Sequence, residues 1–252
     1  MTSPMTPHDS LTLALWQSPH PADVPRALAA LDAVAARAAA AGAQLLLCPE
    51  MSLTGYLIDV AQVAARAEAA DGPAAQAVGR LAQRHGLGIV FGFPEARADG
   101  LPYNAVQLRG PDGAAVAHYR KTHLYGDADR VRFSPGPAAS QVFVWRGWRL
   151  GLLICYDVEF PEAVHALALQ GADAVLVPTA NMLAFDEVPQ LLVPARACEN
   201  RLCVAYANAC GREGDTLYGG LSTVADAQGR VLAQVGRQAE LLIVTLDPPT
   251  PG

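Results

Sequence analysis

The sequence predicts an α/β protein whose sheets contain both parallel and antiparallel strands. Short apolar runs such as Leu11–Gln17 and 44–48 alternate with an Ala-rich amphipathic stretch over 23–41. This order is typical of helices packed over a sheet. Turn sequences at 111–113 and 228–229 join other apolar runs directly, which indicates antiparallel hairpins. A purely parallel, doubly wound sheet is therefore disfavoured.

The first half of the chain opens as a β-α-β unit. Val24, Leu28 and Leu31 lie at helical spacing within 23–41, and Gly42 ends this helix. The apolar strand over 44–48 follows, and 51–56 is predicted as a loop. Further on, we predict a helix over 73–85 and strands over 88–93, 103–108 and 114–119. The segment 120–137 has no regular pattern, and irregular segments of this length tend to be functional.

The second half is predicted to continue the same mixture of strands and helices. Phe160-Pro161 opens a helix, because proline suits a first helical turn. Strands are predicted over 142–145, 148–154, 174–177, 202–207, 223–226, 230–233 and 241–246. A helix is predicted over 188–200, and 208–219 is predicted as a loop.

Length and composition favour one globular domain. The chain has 252 residues, of which 52% are apolar and 17% charged, so it can form a single large core. We expect this domain over 11–247, with a disordered lead-in over 1–10 and a short Pro-rich tail over 248–252.

Charge and hydropathy exclude several classes of partner. The net charge is −6 and the sequence has no basic run, which argues against nucleic-acid binding. No apolar run approaches the roughly 20 residues that a membrane helix needs. The N-terminus lacks the signal-peptide pattern, and the five cysteines show no pairing pattern. We therefore expect a cytoplasmic protein, with Cys198, Cys203 and Cys210 as core thiols.

Three chemically different groups follow predicted strands. Glu50 comes after the strand over 44–48, Lys121 after the strand over 114–119, and Cys155 at the end of the apolar run 150–154. Ligand crevices of α/β sheets lie beyond such strand ends, so these groups could meet in one pocket. Glu50 could then take the thiol proton while Cys155 attacks a carbonyl carbon. Lys121 and the backbone N–H of Tyr156 could stabilise the oxyanion.

Each of these residues also has an ordinary structural interpretation. A glutamate after a strand can cap a loop, and a lysine in a polar stretch is commonly a surface charge. Cys155 could be a buried cysteine, although dipoles and a cation at a strand end would lower the pKa of its thiol. A cysteine–histidine pair with one of the six histidines is a further alternative, but no local signature supports it.

Several blocks resemble signature sequences of the nitrilase superfamily of carbon–nitrogen hydrolases. Those around the three residues are 48–56 (CPEMSLTGY), 119–124 (YRKTHL) and 152–157 (LLICYD). Supporting blocks are 178–182 (PTANM), 195–200 (ARACEN), 207–208 (AN) and 220–224 (GLSTV). Together they cover nearly the whole chain.

This resemblance implies a four-layer αββα sandwich with two mixed sheets, assembled into a homodimer or a higher homo-oligomer. It implies the catalytic residues Glu50, Lys121 and Cys155, with no metal and no organic cofactor. Many relatives carry a second glutamate eight residues after the lysine, where this chain has Asp129. The shorter carboxylate could still orient Lys121.

The nucleophile block resembles the amidase branches of the superfamily more than the true nitrilases. It is most similar to the 5-aminopentanamidase and (R)-stereoselective amidase branches. Glu159 stands where omega-amidases commonly carry an arginine that binds a substrate carboxylate. We expect Glu159 to repel such substrates and to favour a distal amino group, with Tyr56 and Asn181 as further substrate-binding residues.

Alternatives to this reading of the substrate remain open. Glu159 could simply be a solvent-facing residue near a helix N-terminus. The reaction could be hydrolysis of an N-carbamoyl amine such as N-carbamoylputrescine, which a carboxylate at position 159 would also suit. The chain could also be a catalytically silent binding protein, although the intact Glu50, Lys121 and Cys155 argue against this.

Overall fold

The structure, a computed structural model, describes residues 9–248, and these form fourteen strands and six α-helices. The strands are β1 (Leu11–Gln17), β2 (Leu45–Leu47), β3 (Gly88–Glu95), β4 (Tyr103–Arg109), β5 (Ala115–Arg120), β6 (Phe143–Trp145), β7 (Trp148–Leu152), β8 (Ala174–Thr179), β9 (Cys203–Asn208), β10 (Cys210–Glu213), β11 (Thr216–Gly219), β12 (Thr223–Ala225), β13 (Val231–Gln234) and β14 (Glu240–Leu246). The helices are α1 (Val24–Ala40), α2 (Val60–Arg66), α3 (Pro73–His85), α4 (Gly126–Arg130), α5 (Pro161–Leu169) and α6 (Val193–Asn200). A 3-10 turn, Cys155–Glu159, precedes α5, and a π-helical turn, Val188–Leu192, precedes α6.

Two six-stranded mixed sheets form the centre of the described chain. Their strand orders are β14-β1-β2-β3-β4-β5 and β13-β12-β9-β8-β7-β6. In the first sheet β1, β2 and β3 are parallel, and antiparallel strands flank them. In the second, β7, β8 and β9 are parallel between antiparallel neighbours. The prediction of two mixed sheets is confirmed.

Alternation along the strands places the two sheets between two helical layers. Leu45 and Leu47 of β2 belong to the core shared with the second sheet, whereas Leu46 packs with α1 and α3. This alternation follows from the two-residue period of a strand. On the other side, Leu167 of α5 packs so closely on Gly151 of β7 that a Cβ at Gly151 would lie 2.6 Å from it. The four-layer αββα sandwich is thus confirmed.

Most predicted elements are present with shifts of one or two residues at their ends, but some differ. The predicted loop over 208–219 is the hairpin of β10 and β11, whose register runs from Cys210↔Gly219 to Glu213↔Thr216. Glycines and charged residues in this hairpin hide the alternation of apolar and polar residues by which a strand is predicted from the sequence. The helix α2 was not predicted, and α4 lies within the segment 120–137 predicted to be irregular. The strand predicted over 148–154 ends at Leu152, where the chain turns toward Cys155.

Other predictions on chain organisation concern residues at the two ends. The lead-in over 1–10 and the tail over 248–252 lie outside the described residues, apart from 9, 10 and 248. Within residues 9–248, every helix is too short or too polar to span a bilayer.

Candidate active site

The structure brings together the ionisable groups that follow β2 and β5. The Nζ of Lys121 donates to Glu50 Oε1 at 2.9 Å and to Asp129 Oδ2 at 2.7 Å. All three side chains are fully buried. Asn104 Nδ2 donates to the same Glu50 oxygen at 2.6 Å. Lys121 is therefore held between two carboxylates, one of which is the aspartate that replaces the glutamate of many relatives.

A single backbone amide lies near both the Glu50 carboxylate and Cys155. Ala180, directly after β8, donates its N–H to Glu50 Oε2 at 3.0 Å. The same N–H lies near enough to Cys155 to act against the rise in the pKa of its thiol. The carboxylate and the thiol of the predicted triad therefore both lie near one amide, at the ends of strands from two different sheets.

Close approach of the chain behind Glu50 depends on Gly92. A Cβ at Gly92, in the middle of β3, would lie 2.4 Å from the backbone nitrogen of Met51. Met51 itself has a φ of 51°, in the left-handed region that costs a non-glycine residue energy. The turn after β2 thus folds back tightly against β3 and leaves the Glu50 side chain directed at Lys121.

The nucleophile turn is also formed by unusual backbone. Cys155 has a φ of 47°, and it opens the 3-10 turn that leads into α5. Strained backbone of this kind is common where a side chain must be presented to a substrate. Within residues 9–248 the N–H of Tyr156 has no hydrogen-bond partner. This amide is therefore free to donate, and its role toward an oxyanion stays a prediction.

Asp157 is a supporting residue that sequence reasoning missed. It is fully buried and accepts hydrogen bonds from the N–H of Ile154 at 3.1 Å and of His123 at 2.9 Å. The hydroxyls of Tyr119 and Thr122 donate to it as well. Asp157 thereby connects the nucleophile turn to the segment that carries Lys121. The sequence signal that could have indicated this role is the position of Asp157 two residues after the cysteine, in Cys-Tyr-Asp.

Burial dominates the electrostatics of the site. It raises the pKa of the Glu50 carboxyl, and Lys121 opposes this. Burial alone would lower the pKa of Lys121, but Glu50 and Asp129 hold it well above its ordinary value. Burial, followed by the charge of Glu50, raises the pKa of the Cys155 thiol well above its ordinary value despite the nearby Lys121. The expectation of a lowered thiol pKa is therefore wrong, because burial and the charge of Glu50 outweigh that of Lys121.

Tyr56 lies beneath Lys121. Its hydroxyl donates to Asp129 Oδ1 at 2.7 Å, and its ring centre is 5.6 Å from Lys121 Nζ. The N–H of Tyr125 donates to the other Asp129 oxygen at 2.8 Å. These contacts orient Asp129, so its shorter side chain reaches the ammonium of Lys121.

Asn181 and Glu159 make no hydrogen bond to Glu50, Lys121 or Cys155 within residues 9–248. Asn181 is buried, and its side-chain amide donates to the carbonyl oxygen of Phe185 at 2.9 Å. Glu159 is half-buried at the end of the nucleophile turn, and within residues 9–248 its carboxylate makes no hydrogen bond or ion pair. Burial and the nearby carboxylate of Glu187 raise the pKa of Glu159.

Aromatic side chains form a wall next to the nucleophile. The ring of Tyr125 meets that of Tyr156 edge-on, with centres 5.3 Å apart, and meets Phe185 in the same way at 5.9 Å. All three residues are partly exposed. The pKa of Tyr125 is raised, first by burial and then by the charge of Glu159, which places this carboxylate near the wall.

The described histidines do not pair with Cys155. His20 and His123 contact Glu50 and Asp157, whereas His85, His118 and His165 contact Asp32, Glu95 and Asn200. A cysteine–histidine dyad therefore has no support within residues 9–248. In the same range, no group of three or more His, Cys, Asp or Glu side chains is arranged to hold a metal ion. Of the predicted core thiols, Cys210 is buried and Cys203 half-buried, but Cys198 is exposed.

The αββα sandwich with a buried glutamate, a buried lysine and a half-buried cysteine at its strand ends is typical of hydrolases that cleave carbon–nitrogen bonds. The chain belongs to the carbon–nitrogen hydrolase family, whose model matches residues 12–251. The resemblance to the nitrilase superfamily and the assignment as a hydrolase of non-peptide carbon–nitrogen bonds are thus confirmed.

Similar proteins carry amidase or hydrolase names. A hydrolase of Pseudomonas protegens is 47% identical over 239 residues, which cover 94% of this chain and 83% of that protein. An (R)-stereoselective amidase of Pseudomonas sp. is 40% identical over 204 residues, covering 81% of this chain and 73% of the amidase. The crystal structure of an amidase from Nesterenkonia sp. has 36% identity and a TM-score of 0.86, covering 98% of this chain and 94% of the other.

Proposed function

We propose that the protein is a cofactor-independent cysteine amidase that hydrolyses a small aliphatic primary amide to a carboxylate and ammonia. The preferred substrate is an omega-amino amide such as 5-aminopentanamide. The observation that carries the proposal is the contact of the Lys121 ammonium with Glu50, whose other carboxylate oxygen accepts the N–H of Ala180 near Cys155. It supports a reaction in which Glu50 is the base, Cys155 the nucleophile and Lys121 a donor to the oxyanion.

In the acylation half-reaction Glu50 takes the proton of the Cys155 thiol as the sulfur attacks the amide carbon. A C–S bond forms, and the carbonyl electron pair moves to the oxygen. Lys121 and the N–H of Tyr156 stabilise this oxyanion, and each such donor is typically worth about 3 kcal/mol. The oxyanion collapses, the C–N bond breaks, and Glu50 returns the proton to the leaving nitrogen, which departs as ammonia.

In the deacylation half-reaction a water molecule occupies the place that ammonia left. Glu50 takes a proton from this water as its oxygen attacks the thioester carbon, and the same donors stabilise the second oxyanion. The C–S bond breaks, the carboxylic acid forms, and Glu50 returns its proton to the Cys155 sulfur. The site is then restored with the thiol protonated, in agreement with the raised pKa of Cys155.

The substrate class is proposed from the groups around the entrance to the nucleophile. The Glu159 carboxylate makes no ion pair within residues 9–248, and burial and Glu187 raise its pKa despite the opposing charges of Lys121 and Arg196. A substrate ammonium between these carboxylates would relieve their repulsion. The aromatic faces of Tyr125, Tyr156 and Phe185 also attract a cation, by about 0.5–2 kcal/mol for each favourable contact. A substrate carboxylate would instead be repelled.

The names of similar proteins support the reaction more than the exact substrate. A cysteine-to-alanine variant of the Nesterenkonia amidase has been solved in complex with butyramide, an uncharged aliphatic amide. A 2-oxoglutaramate amidase from Bacillus subtilis, whose named substrate bears a carboxylate, is 32% identical over 207 residues. The charge at position 159 is therefore the feature on which the choice of substrate rests.

A substrate panel tests the proposal. Ammonia release by the purified protein would be measured with 5-aminopentanamide, butyramide, a dicarboxylate monoamide, a nitrile and N-carbamoylputrescine, with Cys155→Ala as the inactive control. We expect the highest kcat/KM with 5-aminopentanamide and the lowest with the monoamide. Preference for the monoamide would overturn the charge argument. Release of carbon dioxide with ammonia from N-carbamoylputrescine, at a higher kcat/KM, would instead identify an N-carbamoyl amine hydrolase.

A further inference from the structure

A buried histidine lies directly behind the catalytic glutamate. The side chain of His20, three residues after β1, is only 2% exposed, and its Nε2 lies 2.9 Å from the carbonyl oxygen of Glu50. A carbonyl oxygen can only accept, so Nε2 carries the hydrogen. The other ring nitrogen, Nδ1, faces Glu213 Oε2 at 3.5 Å and is buried without a hydrogen-bond partner in the described chain.

Glu213, at the end of β10, organises the loop that follows the catalytic glutamate. Its carboxylate accepts the N–H groups of Tyr56 at 3.0 Å and Leu57 at 2.9 Å, and the hydroxyl of Tyr218. Gly55 makes room for it, since a Cβ there would lie 2.4 Å from Glu213 Oε1, and its φ of +87° favours glycine. The loop is thus folded around this carboxylate.

Two branches lead from this pair of residues to the two carboxylates that hold Lys121. One branch runs from His20 to the backbone of Glu50. The other runs from Glu213 through the backbone of Tyr56 to its hydroxyl, which donates to Asp129. The position of the Lys121 ammonium therefore depends on both branches.

Neighbouring elements hold His20 in this place before any substrate binds. The N–H of Cys210, at the start of β10, donates to the carbonyl oxygen of Ser18 at 3.0 Å. The His20 ring meets Tyr218 of β11 edge-on, with ring centres 4.8 Å apart. The β10–β11 hairpin thus connects the exit of β1 with the catalytic loop.

We propose that His20 and Glu213 are positioning residues that set the relative placement of the Glu50 carboxylate and the Lys121 ammonium. The inference rests on the proposed function for the roles of Glu50 and Lys121. Removal of the Nε2 donor leaves a buried carbonyl unpaired and lets the turn after β2 shift. Displacement of a catalytic group by about 1 Å can cost about 100-fold in rate.

The test compares His20→Leu, which has no donor, with His20→Gln, whose side-chain amide can reproduce the Nε2 hydrogen bond. We expect kcat to fall about 10- to 100-fold in His20→Leu, with KM changed by less than about threefold. His20→Gln should recover most of this loss. The matched control is His85→Leu, because His85 lies on α3 and pairs with Asp32 away from the site. It should keep the wild-type kcat.

A second measurement separates this inference from the identity of the substrate. The rate of Cys155 alkylation by iodoacetamide reports how well Glu50 takes the thiol proton, and it needs no amide turnover. We expect alkylation to be slower in His20→Leu than in the wild type and to recover in His20→Gln. In the branch through Tyr56, we expect alkylation to be slower in Glu213→Gln as well. The positioning role is overturned if His20→Leu and His20→Gln lose equal amounts of activity and of alkylation rate. In that case both losses would follow the loss of thermal stability in each variant. Absence of amide turnover in the wild-type protein would count against the proposed function alone.

Discussion

The carboxylate of Asp129 lies 2.7 Å from the Lys121 ammonium, closer than the 2.9 Å between Lys121 and Glu50. Asp129 lies in the short helix α4, and the N–H of Tyr125 at the start of that helix donates to the same oxygen. Helix α4 therefore carries the shorter side chain far enough toward β5 to make the contact. Lys121 therefore has a carboxylate on each side, so Asp129 would still hold the ammonium when Glu50 takes a proton in the proposed reaction.

The first prediction concerns this contact. Asp129→Asn removes a charge that holds Lys121 in its protonated form. It also turns an acceptor of three hydrogen bonds into a mixed donor and acceptor. We expect kcat to fall about 100-fold, equivalent to about 2.7 kcal/mol of transition-state stabilisation, as measured by ammonia release.

The control for Asp129→Asn is Asp127→Asn in the same helix, because the Asp127 side chain is 98% exposed. It should retain wild-type kcat. A fully active Asp129→Asn enzyme would show that Glu50 alone orients Lys121.

The second prediction concerns specificity. In Glu159→Gln we expect KM for 5-aminopentanamide to rise about tenfold, because the charge facing the substrate ammonium is lost, while KM for butyramide stays unchanged. Glu159→Arg should shift kcat/KM toward a dicarboxylate monoamide. Glu162→Gln is the control, since Glu162 is exposed in the first turn of α5. An unchanged substrate profile in both Glu159 variants would make Glu159 an ordinary solvent-facing residue.

The third prediction concerns stability and pH. Burial opposes ionisation of Glu95, but hydrogen bonds from Arg120 and His118 lower its pKa from 4.5 to about 2. A lowered folded-state pKa adds stability that is present above pH 4.5 and is lost as the pH falls toward about 2. Glu95→Gln should therefore lower the free energy of unfolding by about 1–3 kcal/mol at neutral pH.

Urea denaturation at neutral pH and at several acidic pH values measures the free energy of unfolding of the wild type and of Glu95→Gln. The difference between wild type and Glu95→Gln should shrink as the pH falls from 4.5 toward about 2, whereas Glu240→Gln, at an exposed site, should match the wild type throughout. A difference that does not change with pH would show that lost packing, rather than the ion pair, causes the destabilisation.

The strands that end before Glu50 and Cys155 were predictable because each is a continuous apolar run, which is typical of a buried strand. The strand before Lys121 is largely exposed, and the turn at 111–113 indicates it instead. His20 and Glu213 have no such signal, since their contacts join residues far apart in the chain and across different elements. Glu213 lies in a glycine-rich hairpin whose charges obscure strand alternation. The raised pKa of Cys155 was also beyond sequence reasoning, because it depends on burial and on the distance to Glu50.

The last prediction follows from the raised pKa of Glu50. The base must be ionised to take the thiol proton, so kcat/KM should increase with pH as Glu50 loses its proton. Because burial raises the pKa of Glu50 above its ordinary 4.5, this acid limb should lie above pH 4.5. Butyramide is the substrate to use, since it has no ionisable group of its own. Glu50→Gln should abolish turnover and remove the same limb from the pH profile of Cys155 alkylation. An acid limb at or below pH 4.5 would mean that Lys121 outweighs burial and that Glu50 is a much weaker base than proposed.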